Sequence, residues 1–212
     1  MHTLFLTSGG IRFSPIADEF VKLLPNPLAQ IRVAHIITAS KMARNISYLA
    51  EDKLAFKNIG IQYEDIDIEG KNEEELRQIL KYFDVIYVQG GDPYYLLKHI
   101  KLSGFDVVAR ELNTQGKLYV GASAGSYVAC PTIESTLWKK PKRARHGLSD
   151  DEPAMNLVNF LVLAHYEERH RAIVREGMKH TKYQVRILTD QQALLVRNGN
   201  AILIGDGEEI KI

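Results

Sequence analysis

KLYVGASAGSYVAC, residues 117–130, begins as an apolar, strand-like run and ends as a helix-like one, with Gly-Ala-Ser-Ala-Gly between the two. This is the G-x-S-x-G pattern of a nucleophile elbow, a tight strand-to-helix turn that exposes a serine hydroxyl at the carboxyl end of a strand. Gly121 and Gly125 lack the Cβ atoms that would collide with the neighbouring strand and helix. Ser123 is therefore a candidate nucleophile. The alternative is a strand–helix turn built of small residues for close packing.

The segments before this turn alternate between short apolar runs and amphipathic stretches. Strands are predicted at TLFLTS, RVAHIIT, IQYEDIDI and DVIYVQ. Helices follow them, the first capped by Ser14 and the second ending at Gly60. Strand–helix alternation with Val- and Ile-rich strands predicts an α/β fold, a largely parallel sheet sandwiched between helices.

The pattern changes after the Ser123 helix. Residues 131–156 hold no clear element, and FLVLAHY then returns as a strand before a charged helix. VRILTD, QALLVRNGNAILIG and EEIKI predict short C-terminal strands, with a two-residue hairpin turn at Asn198-Gly199. Because no repeat or linker interrupts the chain, we expect residues 1–212 to form a single α/β hydrolytic domain.

The composition excludes several classes of protein. Lys and Arg number 27 against 26 Asp and Glu, a formal charge of +1, which argues against a nucleic-acid binder. The single cysteine, Cys130, excludes an internal disulfide and favours a reducing compartment. The N-terminus lacks the basic region of a signal peptide, and no window reaches the length of about 18 apolar residues that a membrane span needs. We therefore expect a cytoplasmic protein that binds neither membrane nor nucleic acid.

A serine nucleophile needs a general base, and seven histidines are available. His165 falls at the end of the strand-like run FLVLAHY, and catalytic groups in open α/β sheets sit past the carboxyl ends of strands. His35 lies inside the apolar run RVAHIIT and is predicted to be a core residue. His165 is the predicted base, the alternative being a strand-end histidine without a catalytic role.

A third feature is VQGGDPYYLL, in which Gly90-Gly91 again follows a strand. The backbone amide of Gly91 could combine with that of Ala124, the residue after the serine, to form an oxyanion hole. The alternative is an ordinary strand–helix turn.

Cys130 lies about two helical turns beyond Ser123 and is interpreted as a packing residue. No metal-ligand spacing such as H-E-x-x-H is present, so we expect neither a metal nor a cofactor.

GGDPYYLL, GASAGSYVACPTI and FLVLAHY, in this order, resemble the peptidase E family of serine peptidases, which includes aspartyl dipeptidase and, more distantly, cyanophycinase. The resemblance runs over nearly the whole chain. It implies a fold like that of class I glutamine amidotransferases, with a serine where those enzymes hold a cysteine. It also implies that Ser123 is the nucleophile, His165 the base, and Gly91 and Ala124 the oxyanion donors. A small peptide, such as a dipeptide with an N-terminal aspartate, is the implied substrate.

The chain departs from the family at the acid that orients the histidine. The family places this acid in the loop after the nucleophile helix, about where Leu137 and Trp138 stand. Glu134, Asp150 and Asp151 lie between Ser123 and His165 and stay open as candidates, as does the absence of any acid. A chain without the acid could be a non-catalytic protein that binds a small ligand in the same crevice. An α/β-hydrolase-type esterase fits less well, because His165 lies too far from the C-terminus.

Basic residues are the candidates for substrate recognition. Arg169 and Arg171 could hold a substrate carboxylate bidentately, or could belong to a solvated helix with paired charges. The run LWKKPKRARHG could attract acidic substrates, although we favour a solvated loop. A homodimer is also considered, because exposed faces of such sheets often pair.

Overall fold

The computed structural model describes residues 2–25, 27–43 and 45–212. The strands are β1 (Thr3–Thr7), β2 (Arg32–Ile36), β3 (Gln62–Ile66), β4 (Val85–Val88), β5 (Leu118–Ala122), β6 (Leu161–Leu163), β7 (Val185–Ile187), β8 (Gln192–Arg197) and β9 (Asn200–Gly205). The described residues form a seven-stranded sheet of order β3-β2-β4-β5-β1-β8-β9, and β6 pairs with β7 in a separate two-stranded parallel sheet. Strands β1 to β5 pair in parallel, whereas β8 is antiparallel to both of its neighbours. This is the largely parallel α/β fold that the sequence predicts.

Helices cover both faces of the large sheet. They are α1 (Ser14–Lys22), α2 (Ser47–Ile59), α3 (Glu73–Leu80), α4 (Pro93–Ser103), α5 (Phe105–Thr114), α6 (Ala124–Val128), α7 (Ser135–Trp138) and α8 (Arg171–Met178), with 3-10 turns at Leu28–Gln30, Thr38–Met42 and Glu168–His170. Two apolar clusters fill the space between sheet and helices, one around Ile86 and Tyr119 and the other around Phe5 and Val120. Neighbouring residues of one strand therefore point into different clusters, as expected for a sheet buried on both sides.

Helix boundaries follow local chemistry in most places. The Asp92 side chain accepts hydrogen bonds from the first turn of α4, and Pro93 occupies a position where its missing N–H costs nothing. Gly60 ends α2 in the left-handed conformation, as predicted. The predicted Ser14 cap is wrong: Ser14 is the first residue of α1, its hydroxyl donates to Asp18, and Phe13 occupies the cap position.

IQYEDIDI forms β3, an edge strand of the sheet that is exposed except at Ile66. Two other predictions need correction. Within the described residues, EEIKI forms no strand, and Ile210 and Ile212 pack against the small cluster around Leu163. Residues 131–156, which gave no clear element, contain the short helix α7.

The parallel arrangement brings several strand ends together. The residues after β1, β4 and β5 lie at one edge of the large sheet, where open α/β folds bind their ligands. The residues after β6 and β7 approach the same place from the small sheet, since His165 contacts Ser123 and Ser8. None of the helices in the described part of the chain has the length and apolar character that crossing a membrane requires.

Candidate active site

Ser123 occupies the turn between β5 and α6. Its backbone angles, φ 49° and ψ −103°, lie in a region that residues with a Cβ rarely adopt, as expected for a strained elbow. Gly125 permits this turn, because a Cβ there would lie 2.0 Å from the Val88 carbonyl oxygen. The Ser126 hydroxyl, 2.8 Å from each of the carbonyl oxygens of Thr7 and Gly121, ties the turn to β1 and β5. The motif therefore forms the elbow geometry that the sequence predicts.

His165 lies beside this serine. Its Nε2 is 2.7 Å from the Ser123 Oγ, a hydrogen-bonding distance. Its backbone φ of 56° also lies in the left-handed region, and its N–H donates to the Ser8 Oγ at 2.8 Å. The Lys139 ammonium donates to the carbonyl oxygens of Ala164 and His165 at 2.6 and 2.8 Å. Two side chains from other parts of the chain thus hold the backbone of this histidine in place.

Asp190 completes the arrangement. Its Oδ1 lies 2.5 Å from His165 Nδ1, and this hydrogen bond is the main reason why the pKa of Asp190 is lowered. The Ser8 hydroxyl donates to the same carboxylate at 3.2 Å. With Nδ1 donating to Asp190, Nε2 is left as the acceptor for the Ser123 hydroxyl. The three side chains are connected in the order that nucleophilic catalysis by serine requires.

The acid beside His165 is none of the three candidates that the sequence left open. Glu134 accepts a hydrogen bond from Thr181, Asp150 pairs with Arg145 at 2.7 Å, and Asp151 is exposed. Leu137, where the family resemblance places the acid, is buried in the apolar core. The carboxylate comes instead from the C-terminal side of the histidine, past the end of β7.

Sequence reasoning missed both Asp190 and Ser8, although a signal was present for each. Ser8 follows the strand TLFLT, and Asp190 is the last residue of the run VRILTD, three residues past the end of β7. The rule that selected His165, a polar residue just past the carboxyl end of a strand, applies equally to these two. Asp190 lies on the C-terminal side of His165, whereas the three candidate acids all lie between Ser123 and His165.

The turn after β4 contains Gly91, one of the two predicted oxyanion donors, and the other, Ala124, is the first residue of α6. Gly91 has a φ of 142°, and a Cβ there would lie 2.2 Å from the Ala39 carbonyl oxygen, so only glycine fits. The N–H of Gly90 donates to its neighbour, the Gln89 side chain, at 2.6 Å. The N–H groups of Gly91 and Ala124 have no hydrogen-bond acceptor among the described residues. Both residues line the cavity that contains Ser123 and His165.

This cavity has a volume of about 570 Å³ and carries an excess of cations. Lys139, Lys140, Arg143 and Arg169 line it, so the basic run around residue 140 forms part of the cavity rather than a solvated loop only. Arg169 pairs with Glu167 at 2.7 Å. Arg171 is not among the lining residues and pairs with Glu168, so the structure does not bring it to the site.

Two other residues behave as predicted. Cys130 is buried, and burial raises the pKa of its thiol to about 12, which leaves it protonated and inert as a nucleophile. His35 is fully buried in β2, where its Nδ1 contacts Asp65 at 2.9 Å.

Comparison with known proteins places this chain in a family. Residues 4–204 match the sequence model of peptidase family S51. An uncharacterised peptidase of Listeria innocua is 31% identical over 208 residues, covering 95% of this chain and 96% of the relative. A peptidase E of a Nostoc species is 26% identical over 139 residues, covering 64% of this chain and 52% of the relative. The crystal structure of a candidate peptidase E protein from Listeria monocytogenes superposes with a TM-score of 0.84 at 29% identity, covering 98% of this chain and all of the other.

Proposed function

This chain belongs to peptidase family S51, and we propose that it hydrolyses short peptides through an acyl-enzyme formed on Ser123. Membership of the family makes it a serine-type peptidase. The observation that carries the mechanism is the continuous contact from Ser123 Oγ to His165 Nε2, and from His165 Nδ1 to Asp190 Oδ1. A serine becomes a useful nucleophile when a positioned base removes its proton and a third group orients that base.

The acylation step follows from these contacts. Ser123 Oγ attacks the carbonyl carbon of the scissile amide as its proton passes to His165 Nε2. The negative charge that develops on the carbonyl oxygen is stabilised by the free amides of Gly91 and Ala124. The protonated imidazole, held by Asp190, gives its proton to the departing amine as the carbon–nitrogen bond breaks.

Deacylation reverses these roles. His165 takes a proton from water, the resulting hydroxide attacks the ester carbonyl, and the proton returns to Ser123 Oγ as the carbon–oxygen bond breaks. The side chains of His165 and Asp190 are 44% and 45% exposed, so water has direct access to the base.

The cationic lining supports a substrate that carries a carboxylate. Arg143 lines the cavity with no carboxylate within ion-pair distance among the described residues, and its Nε is buried without a hydrogen-bond partner. A carboxylate of a short peptide would supply the missing partner. Arg169 stands on the same cavity and is the second candidate for this role. We propose dipeptide-like substrates with a carboxylate in the part of the molecule that faces these arginines.

The non-catalytic alternative loses its support. It rested on the lack of an acid to orient His165, and Asp190 occupies that position.

The test is hydrolysis of a dipeptide library, with and without an N-terminal aspartate, by the wild-type protein and by Ser123→Ala. We expect turnover that disappears in the variant, with faster cleavage of the substrates that carry an additional carboxylate. An organophosphonate that labels serine nucleophiles is applied in parallel. Labelling of Ser123 without cleavage of any dipeptide would contradict the substrate, whereas the absence of both would contradict the mechanism.

A further inference from the structure

A buried polar network lies beneath the candidate oxyanion turn. Gln89, the residue after β4, is 2% exposed and uses its whole side-chain amide. Its Oε1 accepts the N–H of Gly90 at 2.6 Å, while its Nε2 donates to Asp52 at 2.7 Å and lies 3.2 Å from His35 Nε2. Because His35 can donate from Nδ1 to Asp65, its Nε2 is free to accept the second amide hydrogen.

Asp52 connects this network to the turn after β1, on the side of the site that contains Ser8. It is 2% exposed and accepts hydrogen bonds from the hydroxyl of Tyr87 at 2.8 Å and from the N–H of Ile11 at 3.3 Å. A Cβ at Gly10 would lie 2.7 Å from the carboxylate, so the turn after β1 packs directly on it. That turn begins with Ser8, which contacts both His165 and Asp190.

The hydrogen bond to Gly90 has a specific consequence for the reaction. Gly90 and Gly91 carry consecutive N–H groups, and either could in principle face a substrate. The N–H of Gly90 donates to the Gln89 side chain, whereas the N–H of Gly91 has no acceptor among the described residues. The peptide plane between Gln89 and Gly90, which directly precedes that of the Gly91 amide, is therefore held by a buried side chain and does not depend on the substrate. A hydrogen-bond donor that is fixed before charge develops needs no reorganisation during the reaction, which is the basis of its catalytic value.

We infer that Gln89 is a positioning residue for the oxyanion hole, and that Asp52 fixes Gln89 in this role. The inference rests on the proposed function of the Gly91 amide. It assigns to Gln89, which also lines the cavity, an effect on the transition state through Gly91.

The experiment compares Gln89→Leu with Tyr87→Phe and with a double variant that combines Asp52→Asn with Gln89→Glu. Gln89→Leu removes the acceptor for Gly90, and we expect kcat to fall about 10- to 100-fold with KM within about twofold, since outright loss of an oxyanion donor costs about 10²–10³-fold. The double variant exchanges the acid and the amide, so that the new carboxylate at position 89 can accept from Gly90 while the new amide at position 52 donates to it. We expect it to recover most of the lost kcat. Tyr87→Phe removes another bond to Asp52 without touching Gly90 and should keep near wild-type kcat.

Two readouts separate positioning from general stability. Amide hydrogen exchange of Gly90 should accelerate in Gln89→Leu and slow again in the double variant. The rate at which a phosphonate labels Ser123 should fall with kcat, because charge also develops on the phosphonyl oxygen. Equal losses of kcat in Tyr87→Phe and Gln89→Leu, or a Gly90 amide that stays protected in Gln89→Leu, would overturn the inference. If the wild type is labelled but cleaves no peptide, the proposed substrate fails, and the labelling rates still decide the role of Gln89.

Discussion

The two halves of the candidate site are built in different ways. The nucleophile half consists of the turns after β4 and β5, in the middle of the large sheet, and backbone atoms only 2.0 and 2.2 Å from the Cβ positions of Gly125 and Gly91 determine its shape. The base half follows the small two-stranded sheet, and both of its side chains are almost half exposed. Close packing against glycines, together with the hydrogen bonds of Ser126 and Gln89, fixes the first half, and hydrogen bonds from distant parts of the chain fix the second. Substitutions in the two halves should therefore lower activity for different physical reasons.

Loss of the acid tests the base half most severely. Asp190→Asn removes the carboxylate that holds the His165 tautomer, and we expect kcat to fall by about 10⁴-fold with little change in fold. The same amide substitution at Asp150, which pairs with Arg145 away from His165, is the matched control and should leave kcat unchanged. Steady-state kinetics of the two variants on one peptide substrate checks this. Similar activities would show that Asp190 does not orient the base.

A methyl group at Gly91 tests the nucleophile half. The added Cβ of Gly91→Ala would collide with the Ala39 carbonyl, so the turn must move and its amide leaves the oxyanion site. We expect kcat to fall about 10²–10³-fold. Gly60→Ala places the same methyl group on a residue that also has positive φ, but nothing lies within 4 Å of it there. It should lower the free energy of unfolding by about 1 kcal/mol and leave kcat intact. Equal kinetic effects would contradict a local role for Gly91.

This contrast also explains what the sequence could predict. The glycines that close packing requires beside Ser123 are visible in the sequence, so the elbow and the sheet could be deduced from contiguous motifs. The oxyanion roles of Gly91 and Ala124 stay a prediction. The hydrogen bond between His165 and Asp190 cannot be deduced from a contiguous motif, because the two residues are 25 positions apart in the sequence and β7 lies between them. Ser8 and Lys139, which hydrogen-bond to the backbone of His165, are also far from it in the sequence. Only the three-dimensional arrangement shows that these side chains meet the same histidine.

Lys139 offers a pH-dependent test of the base half. Burial lowers the pKa of its ammonium to about 8, so it is charged at neutral pH and loses its proton as the pH rises through that value. The neutral amine makes weaker hydrogen bonds to the carbonyl groups of Ala164 and His165, and we expect kcat/KM to decline above pH 8. Lys139→Arg, which stays charged, should extend activity to higher pH, and Lys139→Met should lose about tenfold at neutral pH. If kcat/KM declined above pH 8 in the same way in the wild type and in Lys139→Arg, the hydrogen bonds of Lys139 would not be the cause of the decline.

The smallest effect concerns substrate binding. Arg169→Ala removes a cation from the cavity wall and should raise KM about two- to fivefold for peptides with an additional carboxylate, because an exposed and already paired guanidinium contributes little. Arg171→Ala removes the same charge outside the cavity and should leave KM unchanged. The comparison is made on one pair of peptides that differ only in that carboxylate. Equal shifts for both variants would indicate a general effect of charge.

The backbone of the two central residues has a consequence for how such a protein can change. Ser123 and His165 both adopt positive φ angles that a glycine would accept without penalty. Strained conformations of this kind cost about 1–3 kcal/mol each, in molecules whose total stability is about 5–15 kcal/mol. Glycine at either position would relieve that strain and abolish the chemistry in one step. The backbone strain that presents the reactive side chains therefore lowers the stability of the fold, and glycine at Ser123 should relieve part of that strain while removing the nucleophile.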